Sequence, residues 1–204
     1  MSGGTSAAPS IAGSVAAFAA CAALGVYVTT RPPTQIDVGA GRLHGGVTPL
    51  AVFFSTLGRW RALLLLAAAA YAGARAYGAD AGAVVVMFVS QVLGQSANMA
   101  VKLVFRRIRP DRWLVRQERD LSYPSGHAAT AIVFFAVLGW LALTGAGPLP
   151  ARGVLVIGCA ACVFGIPWSR LALGAHYATD VIGGLLFGTG WVCATAAVVR
   201  AFGR

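Results

Sequence analysis

The chain has 204 residues, 58% of them hydrophobic and only 11% charged, and its mean hydropathy is +0.75. A soluble domain of this length needs far more polar surface, so the composition points to a membrane. Sixteen Lys and Arg against six Asp and Glu leave a net charge of +10. The cations sit in short loops between apolar stretches, without a nucleic-acid-binding module or an aromatic-basic surface pattern, and this argues against a nucleic-acid partner.

The first apolar stretch, 11–28, approaches the about 20 residues of a bilayer crossing. Residues 1–28 contain no Lys or Arg, so the basic region of a removable signal is missing and the stretch reads as the first span. His44 follows in the stretch 39–46, beside Arg42 but with no carboxylate at helical spacing, and is read as non-catalytic. Residues 47–57 are too few to cross as a helix. After Pro49 they read as a short interfacial helix, or else as part of a bent span that continues from 62. Spans two and three are expected at 62–77 and 81–101.

The third span runs into the lysine Lys102, followed by Arg109-Pro110. A planar guanidinium holds two phosphate oxygens and an ammonium adds a compact charge, so Lys102 and Arg109 are candidate phosphate ligands. Pro110 is expected to end the helical continuation or to fix the turn that aims Arg109. The loop onward to Ser125 adds Arg106, Arg107, Arg112, Arg116 and Arg119, a positive approach to the surface that also suits lipid headgroups.

Pro124-Ser125-Gly126-His127 then stands directly before the fourth span, 128–147. Ser125 is placed to cap that helix, which leaves its first backbone N–H groups to an anion, and Gly126 permits close approach. His127 stands at the entrance as a candidate proton donor to a leaving oxygen, with a capping role as the alternative.

The fifth span, 152–168, holds Cys159 and Cys162 in a CxxC; like Cys21 and Cys193 they read as small packing residues. The last cluster runs from Ser169-Arg170 to His176 and Asp180, directly before the sixth span, 181–199. A helix beginning near His176 places Asp180 on the same face four residues on. There it orients one ring nitrogen and leaves the other as a nucleophile. Gly184 and Gly188 permit close helix packing. With six crossings, Lys102, Arg109, His127, Arg170 and His176 all fall on one side of the membrane.

The ordered set Lys102…Arg109-Pro110, Pro124-Ser125-Gly126-His127 and Ser169-Arg170…His176…Asp180 resembles the type 2 phosphatidic acid phosphatase superfamily. The resemblance implies an all-α, polytopic membrane domain over 1–204 with six transmembrane helices and the helical core of that family. It implies a metal-independent phosphatase with no cofactor. Lys102, Arg109 and Arg170 hold the phosphate with Ser125 and Gly126, His176 attacks phosphorus, His127 protonates the leaving group and later activates water, and Asp180 orients His176.

The family also has soluble members, but the spans favour a lipid phosphate as substrate and the bilayer as partner, with no protein partner required. The resemblance is to small bacterial cytoplasmic-membrane enzymes acting on undecaprenyl diphosphate or phosphatidylglycerophosphate, with both termini cytoplasmic and the active site outward. Polyprenyl diphosphate is the favoured substrate; glycerophospholipid phosphates and transfer to an acceptor hydroxyl are the alternatives.

Overall fold

The structure, a computed structural model, describes residues 7–112, 114–115, 118 and 120–202; Arg116, Arg119 and the terminal Arg204 lie outside them. These residues form helices and connecting loops, with no strand among them. The first helix, α1 (Ala8–Thr29), is apolar on all sides and starts with Pro9 in its first turn, where a missing N–H costs nothing. A short helix, α2 (Gln35–Ala40), follows, closed by a reciprocal capping box between Thr34 and Asp37.

Residues 47–57 are helical as expected: α3 (Thr48–Leu57) turns by 62° at Gly58 into α4 (Trp60–Tyr77). The bent pair is long and apolar enough to count as one broken span or a re-entrant element, beside five helices that qualify singly. Those are α1, α5 (Ala81–Phe105), α6 (Gly126–Thr144), α7 (Leu149–Ala172) and α8 (Ala178–Phe202). Six spans are therefore reached with the bent pair.

One local expectation needs correction and another is refined. α5 ends at Arg106, whose left-handed φ of 50° breaks the helix while its N–H donates to the Lys102 carbonyl, so Pro110 lies too far on to be the terminator. The last helix starts at Ala178, so His176 itself lies two residues before it, in the turn. Gly174, at φ 66°, turns the chain, and the Asp180 carboxylate takes the Tyr177 N–H as the helix begins.

Among the described residues, side chains meet in two main interior clusters, beside a small third one of Ala51, Ala172 and Leu173 between α3 and the end of α7. One joins α4, α5, α6 and α7 through Leu63, Met87, Phe134, Leu138 and Ile166, with Cys159 and Cys162 packed among them. The other joins α1, α6 and α8 through Cys21, Val28, Ala129 and Phe187, with Tyr123 from the loop. All four cysteines are free thiols. Outward faces are apolar, as at Leu65, Val104, Val154 and Phe164, the reverse of a soluble surface.

α6 and α8 pack with almost no separation along the Gly184 and Gly188 seam. A Cβ on Gly184 meets the Ser125 carbonyl oxygen at 2.3 Å, and one on Gly188 meets the Ala129 carbonyl oxygen at 2.9 Å. The close approach foreseen for these glycines is thus made within one chain.

Candidate active site

The start of α6, the end of α5 and the turn between α7 and α8 share one end of the bundle, joined by the loop from Arg106 to Ser125. Lys102 closes α5 with its side chain only 4% exposed, and its Nζ donates to Asp120 Oδ2 at 2.8 Å and to the Leu121 carbonyl. Arg109 reaches Asp120 Oδ1 at 2.5 Å and Glu118 Oε2 at 3.0 Å with one arm. Its other arm donates to the Ala175 carbonyl at 2.8 Å and lies 2.9 Å from His176 Nε2.

Arg170 is buried in the last turn of α7. It donates to Ser55 Oγ at 2.7 Å and to Glu118 Oε1 at 2.6 Å. Three cations held apart from water repel one another, and the carboxylates of Glu118 and Asp120 lie among them and offset that repulsion.

The contact with Arg109 defines the His176 tautomer. A guanidinium has donors only, so Nε2 is the acceptor and carries the lone pair, and the ring proton is on Nδ1. Nδ1 faces Asp180 Oδ2 at 3.4 Å, within ion-pair distance but without the alignment of a hydrogen bond. Burial, reinforced by the fields of Arg109, Arg170 and Lys102, holds this imidazole well below its usual range, so the ring is neutral. A neutral ring with its lone pair on Nε2 is the form that attacks an electrophile once the Arg109 contact to that nitrogen gives way.

Ser125 is the N-cap of α6, its hydroxyl 3.5 Å from the Ala128 N–H, and Gly126 opens the helix. His127 follows, with Nε2 buried and no partner in reach. A π-helical turn at Ala131–Ala136 comes directly after this segment, and Gln91 and Gln95 donate to Thr130 Oγ1 just before it.

His127 and His176 line one cavity of about 1120 Å³ together with Lys102, Arg109, Gly126, Glu118 and Asp120. Arg59, Trp60, Leu63 and Met99 extend its wall. Of the eight residues singled out in the sequence, Lys102, Arg109, Gly126, His127 and His176 thus share this space. Arg170 lines a small adjoining cavity through Glu118, Ser125 spends its hydroxyl on the cap, and Asp180 lies behind His176. Among the described residues no group of three His, Cys, Asp or Glu side chains is placed to hold a metal ion.

Residues 81–204 match the family model described as the PAP2 superfamily, and all three clusters lie inside that region. The chain belongs to the PAP2 superfamily. The family resemblance carried by the clusters is thereby borne out.

Among PAP2 relatives, the lipid A 1-phosphatase of Rhizobium etli is 40% identical over 80 residues, covering 39% of this chain and 30% of that protein. Phosphatidylglycerophosphatase B of Bacillus subtilis is 33% identical over 94 residues, 45% of each chain. The matched stretch therefore spans less than half the length of either relative. A solved transmembrane PAP2 type phosphatidylglycerolphosphate phosphatase from Bacillus subtilis aligns with a TM-score of 0.74 over 94% of this chain and 98% of that one, at 21% identity. The PAP2 fold therefore extends over the N-terminal helices that the family model leaves uncovered.

Several residues at this PAP2 site were not singled out in the sequence. Glu118 and Asp120 drew no attention as loop carboxylates, yet they sit among the cations. Arg107 looked like one more headgroup arginine, but it is buried against Asp37 and Asp180. His44 stands apart from the main cavity, in a side cavity that His176 also lines, with its Nδ1 buried and without a hydrogen-bond partner.

Proposed function

We propose that this protein removes the terminal phosphate from a membrane lipid through a phosphohistidine. The observation that carries the reading is His176, its Nε2 2.9 Å from Arg109, in the same cavity as His127, Lys102 and an apolar wall. Lys102, Arg109 and Arg170 hold the phosphoryl oxygens once the substrate displaces Glu118 and Asp120, and the start of α6 at Gly126 adds backbone donors. Nε2 attacks phosphorus as the bond to the lipid oxygen breaks, and His127 gives that oxygen its proton. Water then attacks the phosphohistidine, the P–N bond breaks, and His127 takes the proton of the water. Asp180 offsets the charge that develops on His176. No metal ion or cofactor enters either step.

The favoured substrate is a polyprenyl diphosphate such as undecaprenyl diphosphate, converted to the monophosphate. Arg59 and Arg61 line the cavity beyond the proposed phosphate cradle and suit a second anionic group beside the terminal phosphate. A diphosphate supplies one, and so does phosphatidylglycerophosphate, the second reading, which the name of the Bacillus relative favours; phosphatidate does not. Phosphate release from a panel of these three lipids in chelator ranks them. Product that appears only with an acceptor lipid, without free phosphate, indicates a phosphotransferase instead.

The proposed setting is a bacterial cytoplasmic membrane with both termini inside and the site outward. This leaves Arg75, Arg152 and Arg200 at the inner ends of their helices. An externally accessible C-terminal tag in intact cells overturns this orientation.

A further inference from the structure

Asp180 has two oxygens, and they have different neighbours. Oδ2 faces His176 Nδ1 and accepts from the Tyr177 N–H at 2.9 Å and from the Ser122 hydroxyl. Oδ1 accepts from Arg107 Nη1 at 2.6 Å. The other arm of Arg107 donates to Asp37 Oδ2 at 3.0 Å, and its guanidinium lies 4.3 Å from the centre of the Tyr177 ring.

Asp37 comes from α2, far away in sequence, and is tied to the start of α8 a second time: its Oδ1 accepts from the Thr179 N–H at 2.9 Å and from the Thr179 hydroxyl at 2.8 Å. The side chains of Asp37 and Asp180 are 0% exposed and that of Arg107 is 7% exposed. Burial alone raises a carboxyl, but the bonds from Thr179, Thr34 and Arg107 prevail and hold Asp37 below its usual range.

A buried group of two carboxylates and one guanidinium is a poor way to add stability, because well-packed apolar side chains of the same volume do as well or better. Its arrangement has a more specific effect. Arg107 fixes Oδ1 and so leaves only Oδ2 to the imidazole. Asp37 draws off part of the Arg107 charge and keeps the guanidinium from turning toward the phosphate, so Asp180 retains a net negative field on His176.

We propose that Arg107 and Asp37 are positioning residues that fix the rotamer and charge of Asp180 behind the nucleophile, an inference that rests on the phosphohistidine reading above. Neither touches the reacting atoms. Both act through Asp180.

The test uses the full-length protein in lipid nanodiscs, with Arg107→Met, Arg107→Lys and Asp37→Asn. The measurements are kcat, KM, inhibition by inorganic phosphate, and phosphohistidine trapped by alkaline quench, each per folded molecule. Misorientation of a reacting group by about 1 Å costs on the order of 100-fold in rate, so Arg107→Met is expected to lower kcat by about that factor. KM and phosphate inhibition should stay within about twofold, since the phosphate-holding cations are untouched. Arg107→Lys, which keeps the charge, should recover about a tenth of parental kcat or more. Asp37→Asn, nearly isosteric, should lie about tenfold below the parent, and it carries the test if Arg107→Met does not fold.

Parental kcat in every folded variant overturns the inference. So does a joint loss of kcat and phosphate inhibition that Lys does not relieve, which marks a purely structural role. A parent protein without turnover or trapped phosphohistidine overturns the phosphatase reading and this inference with it, whereas an active parent with indifferent variants overturns the inference alone.

Discussion

Asp120→Asn is expected to make the protein bind phosphate more tightly. Asp120 lies 2.8 Å from Lys102 Nζ and 2.5 Å from Arg109 Nη2, on the donors proposed for the substrate's terminal phosphate. Burial pushes its carboxyl up, but Lys102 and Arg109 outweigh burial and hold it below its usual range, so it is anionic at neutral pH. Two negative charges about 4 Å apart repel by about 4 kcal/mol at an effective dielectric of about 20. Asp120 is 37% exposed, and water and salt reduce that figure to about 1 kcal/mol. Asn keeps the shape and an oxygen for Lys102 but removes the charge. The inhibition constant for inorganic phosphate and the KM for a lipid phosphate should therefore both fall by about 3- to 10-fold, with kcat changed by less than about threefold. The assay is steady-state phosphate release in nanodiscs at fixed surface concentration of lipid. An unchanged or raised phosphate inhibition constant refutes the reasoning, because Asp120 then belongs to the cradle and does not compete for it.

His176→Ala should lower turnover by about 10⁴-fold or more and leave no phosphohistidine under alkaline quench; parental turnover in that variant excludes His176 as the nucleophile. The acid limb of kcat/KM should lie below about pH 6.5, since a depressed imidazole stays neutral further into acid, and Arg109→Gln, which removes one of the depressing charges, should move that limb upward. A limb that stays in place or moves down in Arg109→Gln contradicts the assigned cause. A Cβ on Gly58 meets His127 Cδ2 at 2.6 Å, so Gly58→Ala should displace that ring and lower kcat by about tenfold with little effect on thermal unfolding in detergent. Turnover in excess chelator should equal turnover without it; a loss that added metal restores contradicts metal independence.

The spans were legible as apolar runs separated by charged loops, a pattern that depends on the bilayer and hardly on neighbours. Lys102, Arg109, His127 and His176 were legible for a related reason: charged and titratable residues beside lipid-compatible helices stand out from their surroundings. Asp37 and Arg107 had no such contrast. Asp37 caps α2, a sufficient local reason for an aspartate there, and Arg107 lies in a run of arginines that suits headgroups. Only the tertiary fold shows that α2 brings Asp37 to the start of α8. Glu118 and Asp120 were missed because an isolated carboxylate in a loop carries no period, and their significance lies in the cations that surround them.

The glycine seam between α6 and α8 links packing to chemistry. Ser125, whose carbonyl lies where a Gly184 side chain would begin, donates its N–H to the Asp180 carbonyl at 2.9 Å, so the two helix starts form one rigid joint. His127 projects from one side of that joint and His176 precedes the other. A side chain added at Gly184 therefore changes more than stability: it resets the separation of the proposed acid and nucleophile. Along this line an exchange of one small apolar residue for a larger one, neutral elsewhere in the membrane interior, is therefore expected to alter the geometry of the proposed site several residues away.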